Sequence, residues 1–149
     1  MDFFIEIFKN EYIYVPVLLW FSIQCFKVIW DLVKTKKFNF KRVLGAGGMP
    51  SSHAAVVCSL ATLVGRGCGF SSAEFGIALV LALVVMYDAA GVRRAAGKQA
   101  KLLNKIVETP GLSALQVQER LVEVLGHSPL EVFVGALLGV VVGILVPIM

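Results

Sequence analysis

Long apolar stretches along this chain are broken by short clusters of glycine and charge, and the breaks mark the elements. Residues 2–9, Asp-Phe-Phe-Ile-Glu-Ile-Phe-Lys, form a short amphipathic piece suited to a membrane interface. Residues 12–33 are close to the ~20 needed to cross a bilayer. The polar residues of that span are ordered: Gln24, Lys27, Asp31 and Lys34 recur at steps of three and four, so they form one helix stripe. Lys34 is expected to snorkel to the surface. Lys27 lies about two turns deeper, where an insertion cost of roughly 2.5–3.5 kcal/mol calls for a partner or a wet cavity. An i, i+4 pair with Asp31 is the simpler reading of Lys27.

A basic loop over residues 34–42 leads to Gly47-Gly48-Met49-Pro50-Ser51-Ser52-His53. The glycines permit a tight turn, Pro50 suits a first helical turn, and Ser51 or Ser52 suits a cap. A second span follows over residues 52–64, running toward a glycine-rich loop, residues 65–70, that holds Arg66. Ser71 or Ser72 caps a third helix with its apolar run over residues 75–87. The character then changes within one turn, at Asp88-Ala89-Ala90-Gly91-Val92-Arg93-Arg94, and a polar helical extension through Lys98, Lys101 and Lys105 stops at Thr109-Pro110-Gly111. Residues 113–125 read as an amphipathic surface helix. Ser128-Pro129-Leu130-Glu131 is a capping box opening a last helix over residues 129–148. Gly135, Gly139 and Gly143 give that helix a smooth face, expected to pack on another helix: the polar stripe of the first span, or a second copy of the chain in a homo-oligomer.

Composition sharpens this to an integral membrane protein: 58% of the 149 residues are apolar, against about 45–50% in soluble domains. The expected fold is an all-α polytopic membrane helix bundle of about four transmembrane helices plus amphipathic surface helices, with residues 1–149 as a single domain. Asp2 and Glu6 stand where a signal peptide would be positive, so no cleavable leader is expected. Cys25, Cys58 and Cys68 have no metal or redox spacing. The net charge of +4 is modest, and no nucleic acid partner, cofactor or bound metal is expected.

The placement of charge matters more than its sum. With four spans, Lys34, Lys36, Lys37, Lys41, Arg42, Arg93, Arg94, Lys98, Lys101, Lys105 and Arg120 share one side, while Lys9 and Arg66 fall on the other. The basic side is expected to be cytoplasmic, with both termini outside, in a bacterial inner membrane. The Pro50 turn, the Arg93-Arg94 segment and His127 then meet at one membrane face. The sidedness rule accounts for the arginines there. It does not account for His53 and His127, the chain's 2 histidines, both at helix starts on that face. Helix N-termini, hydroxyls and histidine together suit a phosphate. The plainer reading of each stretch is a capped helix start with an incidental histidine.

These blocks resemble a known family. Pro50-Ser51-Ser52-His53 resembles the Pro-Ser-Gly-His motif of the type 2 phosphatidic acid phosphatase superfamily, which includes vanadium-dependent haloperoxidases. His127-x-x-x-Glu131 resembles its terminal His-x-x-x-Asp, and the three blocks together look like a small, divergent bacterial branch. The resemblance implies that His127 is a nucleophile forming a phosphohistidine, that Glu131 orients it, and that His53 protonates the leaving oxygen. It implies that Ser51, with Ser52 in the glycine's place, binds phosphate. The superfamily's Lys-x6-Arg-Pro block is absent, no arginine stands six residues before His127, and Glu131 replaces aspartate. Lys27, Arg93 and Arg94 are therefore the expected phosphate-binding cations, with Arg42 and Arg120 in reserve; Asp88 is a further possible site residue. Glu131 has a second reading, as the capping-box residue alone.

The expected function is hydrolysis of a membrane lipid phosphate monoester, of the phosphatidylglycerophosphate or phosphatidic acid type. A polyprenyl pyrophosphate is the alternative substrate. A non-catalytic scaffold or lipid-binding protein is the alternative class, and haloperoxidase chemistry is disfavoured because the site opens toward lipid. Phosphoryl transfer of this kind needs positioning and dispersed positive charge, and two histidines can supply nucleophile and acid without metal.

Overall fold

In a computed structural model, residues 2–36, 48–107, 121 and 126–148 are described, with the side chains of residues 2–5, 93 and 107 excepted. The described residues form helices α1 (Asp2–Lys9), α2 (Glu11–Thr35), α3 (Ser52–Cys68), α4 (Ala73–Ala90), α5 (Val92–Val107) and α6 (Pro129–Leu145), with no strand among them. Arg42, Arg120 and the surface helix expected over 113–125 lie outside the described residues, apart from the single position Leu121.

Helix α3 is the axis of the bundle and packs against α2, α4 and α6. Its own residues explain why. Ala54, Ala55, Ser59 and Ala61 keep it narrow, and two of its hydroxyls bond within the helix: Ser59 Oγ donates to the Val56 carbonyl and Thr62 Oγ1 to the Cys58 carbonyl, each at 2.8 Å. Glycines of α6 then meet α3 backbone directly. A methyl group at Gly135 would strike the Ser51 carbonyl, one at Gly139 the Ala55 carbonyl, and one at Gly143 the Thr62 side chain. The glycine face of α6 therefore seats on α3, rather than on the polar stripe of α2 or a second copy. Close approach of small residues replaces the hydrophobic drive that lipid cannot supply.

Large apolar side chains point the other way. Phe21, Ile29, Ile77, Val84, Phe133 and Ile144 are exposed, while the buried core is largely alanine, glycine and serine. A water-soluble domain does not leave so continuous an apolar surface. Helix α2, and α4 running on into α5, are long and apolar enough to cross a membrane, and α6 is a shorter apolar helix. With 17 residues each, α3 and α6 stand at the short end of the spanning range. At the end of α2, Phe26 stacks on Trp30 and the Lys34 ammonium lies 4.9 Å above the Trp30 ring, an interfacial anchor where snorkelling was expected.

Several boundaries differ from the sequence expectation. Pro50 precedes the helix, and Ser51 is the cap, with Ser51 Oγ accepting from the Ala54 amide at 3.4 Å. Helix α3 continues through Arg66, whose guanidinium donates to the Gly143 and Val146 carbonyls at 2.6 and 2.7 Å. Arg66 thus closes the C-terminus of α6, where a cation complements the helix dipole. Of the two serines expected as caps of α4, it is Ser72 that fills the role. The polar extension of α4 is a separate helix because the backbone turns at Gly91 (φ −104, ψ −83). Helix α6 stops at Leu145, short of residue 148, since Pro147 follows its cap residue Val146.

Candidate active site

The site end of the bundle is assembled by backbone. The Ser51 amide donates to the Glu131 carbonyl at 3.0 Å, and the His127 amide donates to the Ala89 carbonyl at 3.0 Å. The start of α3, the start of α6 and the end of α4 are thereby fixed at one point, although they are separated by dozens of residues. Both histidine-bearing helix starts are entered through a left-handed glycine, Gly48 at φ +81 and Gly126 at φ +84, a conformation that costs other residues roughly 1–2 kcal/mol.

His127 is the centre of this cluster. It is 2% exposed, and among the described residues neither of its ring nitrogens makes a hydrogen bond. Its Nδ1 faces Glu131 Oε2 at 3.4 Å. That oxygen is itself held: it accepts from the Ser128 amide at 2.8 Å, while the Glu131 amide donates to Ser128 Oγ at 3.3 Å, completing the capping box. The oxygen that completes the capping box is thus the same one that faces His127. The carboxylate beside Nδ1 favours the tautomer with the proton on Nδ1, which leaves the lone pair on Nε2.

His53, on the first turn of α3, lies edge-on to His127, with 6.1 Å between ring centroids. One phosphoryl group is within reach of both. Lys27 is buried on α2, in register with buried Leu19 and Ile23 at steps of four. Burial is the main force lowering the pKa of His127, and the nearby Lys27 charge adds to it, while the Glu131 carboxylate works in the opposite direction. The net effect favours the neutral imidazole over the charged ring.

The other candidates are distributed around this core. Ser51 and Ser52 are buried at the α3 N-terminus, where helix geometry leaves first-turn amides without intrahelical acceptors. Asp88 is half-buried on α4, one residue before the Ala89 that holds His127. Arg93 and Arg94 lie on the first turn of α5, immediately past Gly91, and Arg94 is exposed. The backbone anchor Ala89 and the left-handed turn at Gly126 escape sequence reasoning, since nothing in alanine or glycine side chains advertises them. A further feature also escapes it: a cavity of about 340 Å³ lined by Pro16, Trp20, His53, Val56 and Val85 among others.

The chain is 38% identical to the uncharacterized membrane protein YuiD of Bacillus subtilis (strain 168), over 78% of this chain and 81% of that one. No solved structure matches it. The model of the divergent PAP2 family matches residues 8–142. That match runs from α2 through most of α6 and covers all the candidate site residues, and it makes this chain a member of the divergent PAP2 family, an all-α, membrane-embedded helical protein.

Proposed function

We propose that this protein is a membrane lipid phosphatase that hydrolyses a lipid phosphate monoester through a phosphohistidine on His127. The observation that carries the reading is a buried imidazole whose Nδ1 faces a fixed carboxylate and whose ring adjoins a second histidine. In the first step His127 Nε2 attacks phosphorus, and the P–O bond to the lipid alcohol breaks in line. His53 gives its proton to the departing alkoxide. Water, deprotonated by His53, then attacks the phosphohistidine, releasing phosphate and restoring both rings. Lys27, Arg93 and Arg94 neutralise the phosphoryl oxygens, with first-turn amides and the Ser51 and Ser52 hydroxyls as further donors. Glu131 keeps the proton on Nδ1 and stabilises the charge that develops on the ring.

The site is assigned to the cytoplasmic face of a bacterial inner membrane, because its end of the bundle carries Lys34, Lys36, Lys98 and Lys101. Glycerolipid phosphate monoesters made inside the cell are presented there, which favours them over polyprenyl pyrophosphate. The test is phosphate release from a panel of lipid phosphates by purified protein in detergent. His127→Ala should abolish turnover by several orders of magnitude, as loss of a nucleophile does, while the melting profile stays near wild type. Full activity in that variant, or activity lost to EDTA, would overturn the mechanism. Silence of the wild type across the panel would favour a scaffold or lipid-binding role.

A further inference from the structure

The cavity beside His53 has a shape and chemistry that the phosphate site alone does not require. Pro16, Val17 and Trp20 of α2 form one wall, and Val56 and Val85 of α3 and α4 form the others. Its volume, about 340 Å³, is at the low end of ligand pockets, roughly 300–1,000 Å³. Among the described residues His53 is the one titratable residue in its lining, and it stands where the apolar walls meet the histidine pair. Val17 and Trp20 are 56% and 40% exposed, so the α2 wall is open to the surrounding lipid.

Two further observations tie this cavity to a ligand's direction. Pro16, Trp20, Gln24 and Lys27 succeed one another at steps of four and three, so the α2 wall leads along one helix face to the buried Lys27. Trp20 also stands about 14 Å into α2 at 1.5 Å per residue, far from the interfacial belt that tryptophans prefer and that Trp30 occupies. A mid-span indole is accounted for if it walls a groove rather than anchors a helix.

We infer that the α2–α3–α4 groove seats the head-proximal part of a hydrocarbon chain belonging to a lipid phosphate, which enters sideways from the bilayer with its phosphate delivered between His53, His127 and Lys27. The inference rests on the reading of that cluster as a phosphate site. It makes Trp20, Val17 and Val56 the residues that select for a lipid chain over a soluble phosphate ester. Chain discrimination in such a groove arises because each methylene taken out of contact costs binding.

The experiment uses phosphatidic acid carrying a diazirine near the start of one acyl chain, photolysed with full-length His127→Ala protein so that the probe is not consumed. The expected result is label on the peptides holding Val17–Trp20 and Val56, competed by unlabelled phosphatidic acid and not by diacylglycerol of the same chain length. Label spread over the outer faces of α4 and α6, or equal competition by the neutral lipid, would overturn the proposal. A second arm fills the groove: Val56→Phe should lower kcat/KM for a long-chain lipid phosphate by ~10-fold or more while changing that for a short-chain analogue by about twofold at most. Equal loss on both would also count against it. Absence of phosphate release from every lipid would defeat the phosphatase reading and leave the labelling result to stand separately.

Discussion

At the scale of single residues, His127 concentrates the consequences. An exposed histidine takes up its proton near pH 6.5, and burial first, then Lys27, lowers the value for His127. Over the window between those two values the unfolded chain binds a proton that the folded chain refuses. Stability from this group is therefore complete above the ordinary histidine range, falls as pH drops through the window, and levels off below it. Thermal melts in detergent across a pH series should show that slope, and His127→Gln should flatten it; an unchanged slope would place the titration elsewhere. Glu131→Gln separates two functions of one carboxylate. Its amide oxygen can still accept from Ser128, so α6 should lose at most ~1 kcal/mol. The charge that raises the proton affinity of His127 is gone, so the acidic limb of the pH–rate profile should move to lower pH, and turnover should fall. A profile that does not move would confine Glu131 to capping.

At the scale of elements, the decisive contact is α6 on α3. Gly139→Ala would drive a methyl group into the Ala55 carbonyl and within 2.9 Å of the Ser59 amide. Neither is a flexible side chain that can step aside, so a loss of roughly 1–3 kcal/mol is expected. Gly76→Ala on α4 is the matched control, because nothing lies within 4 Å of its new methyl. There the change should be neutral or stabilising by up to ~1 kcal/mol through helix propensity. Equal behaviour of the two variants in a thermal-shift assay would contradict the packing described.

At the scale of the whole molecule, the question is which side of the membrane holds the site. With Cys25, Cys58 and Cys68 replaced, single cysteines at positions 38 and 70 report on the two faces. Position 70, a 66% exposed phenylalanine at the far end of α3, should react in intact cells with a membrane-impermeant reagent. Position 38, beyond the C-terminus of α2, should react only after permeabilisation. The reverse pattern would move the site outside and make polyprenyl pyrophosphate the better substrate.

Much of this was decided locally, and so was readable along the chain. Apolar run length specifies the spans, Ser128-x-x-Glu131 specifies its own cap, and Gly135, Gly139 and Gly143 announce a close-packed face whatever the partner. The motif blocks around His53 and His127 pointed to one chemistry because each carries its reactive residue within a few positions. What the sequence left open were relations between elements. That α6 seats on α3, that Arg66 caps α6, and that the Ala89 carbonyl anchors His127 are contacts between segments dozens of residues apart. Alanine and backbone carbonyls carry no positional signal, and periodicity shows that a face is buried without naming what buries it. The groove along Pro16, Trp20 and Val56 is of the same kind. It is a space between three helices, so it exists only once their packing is set.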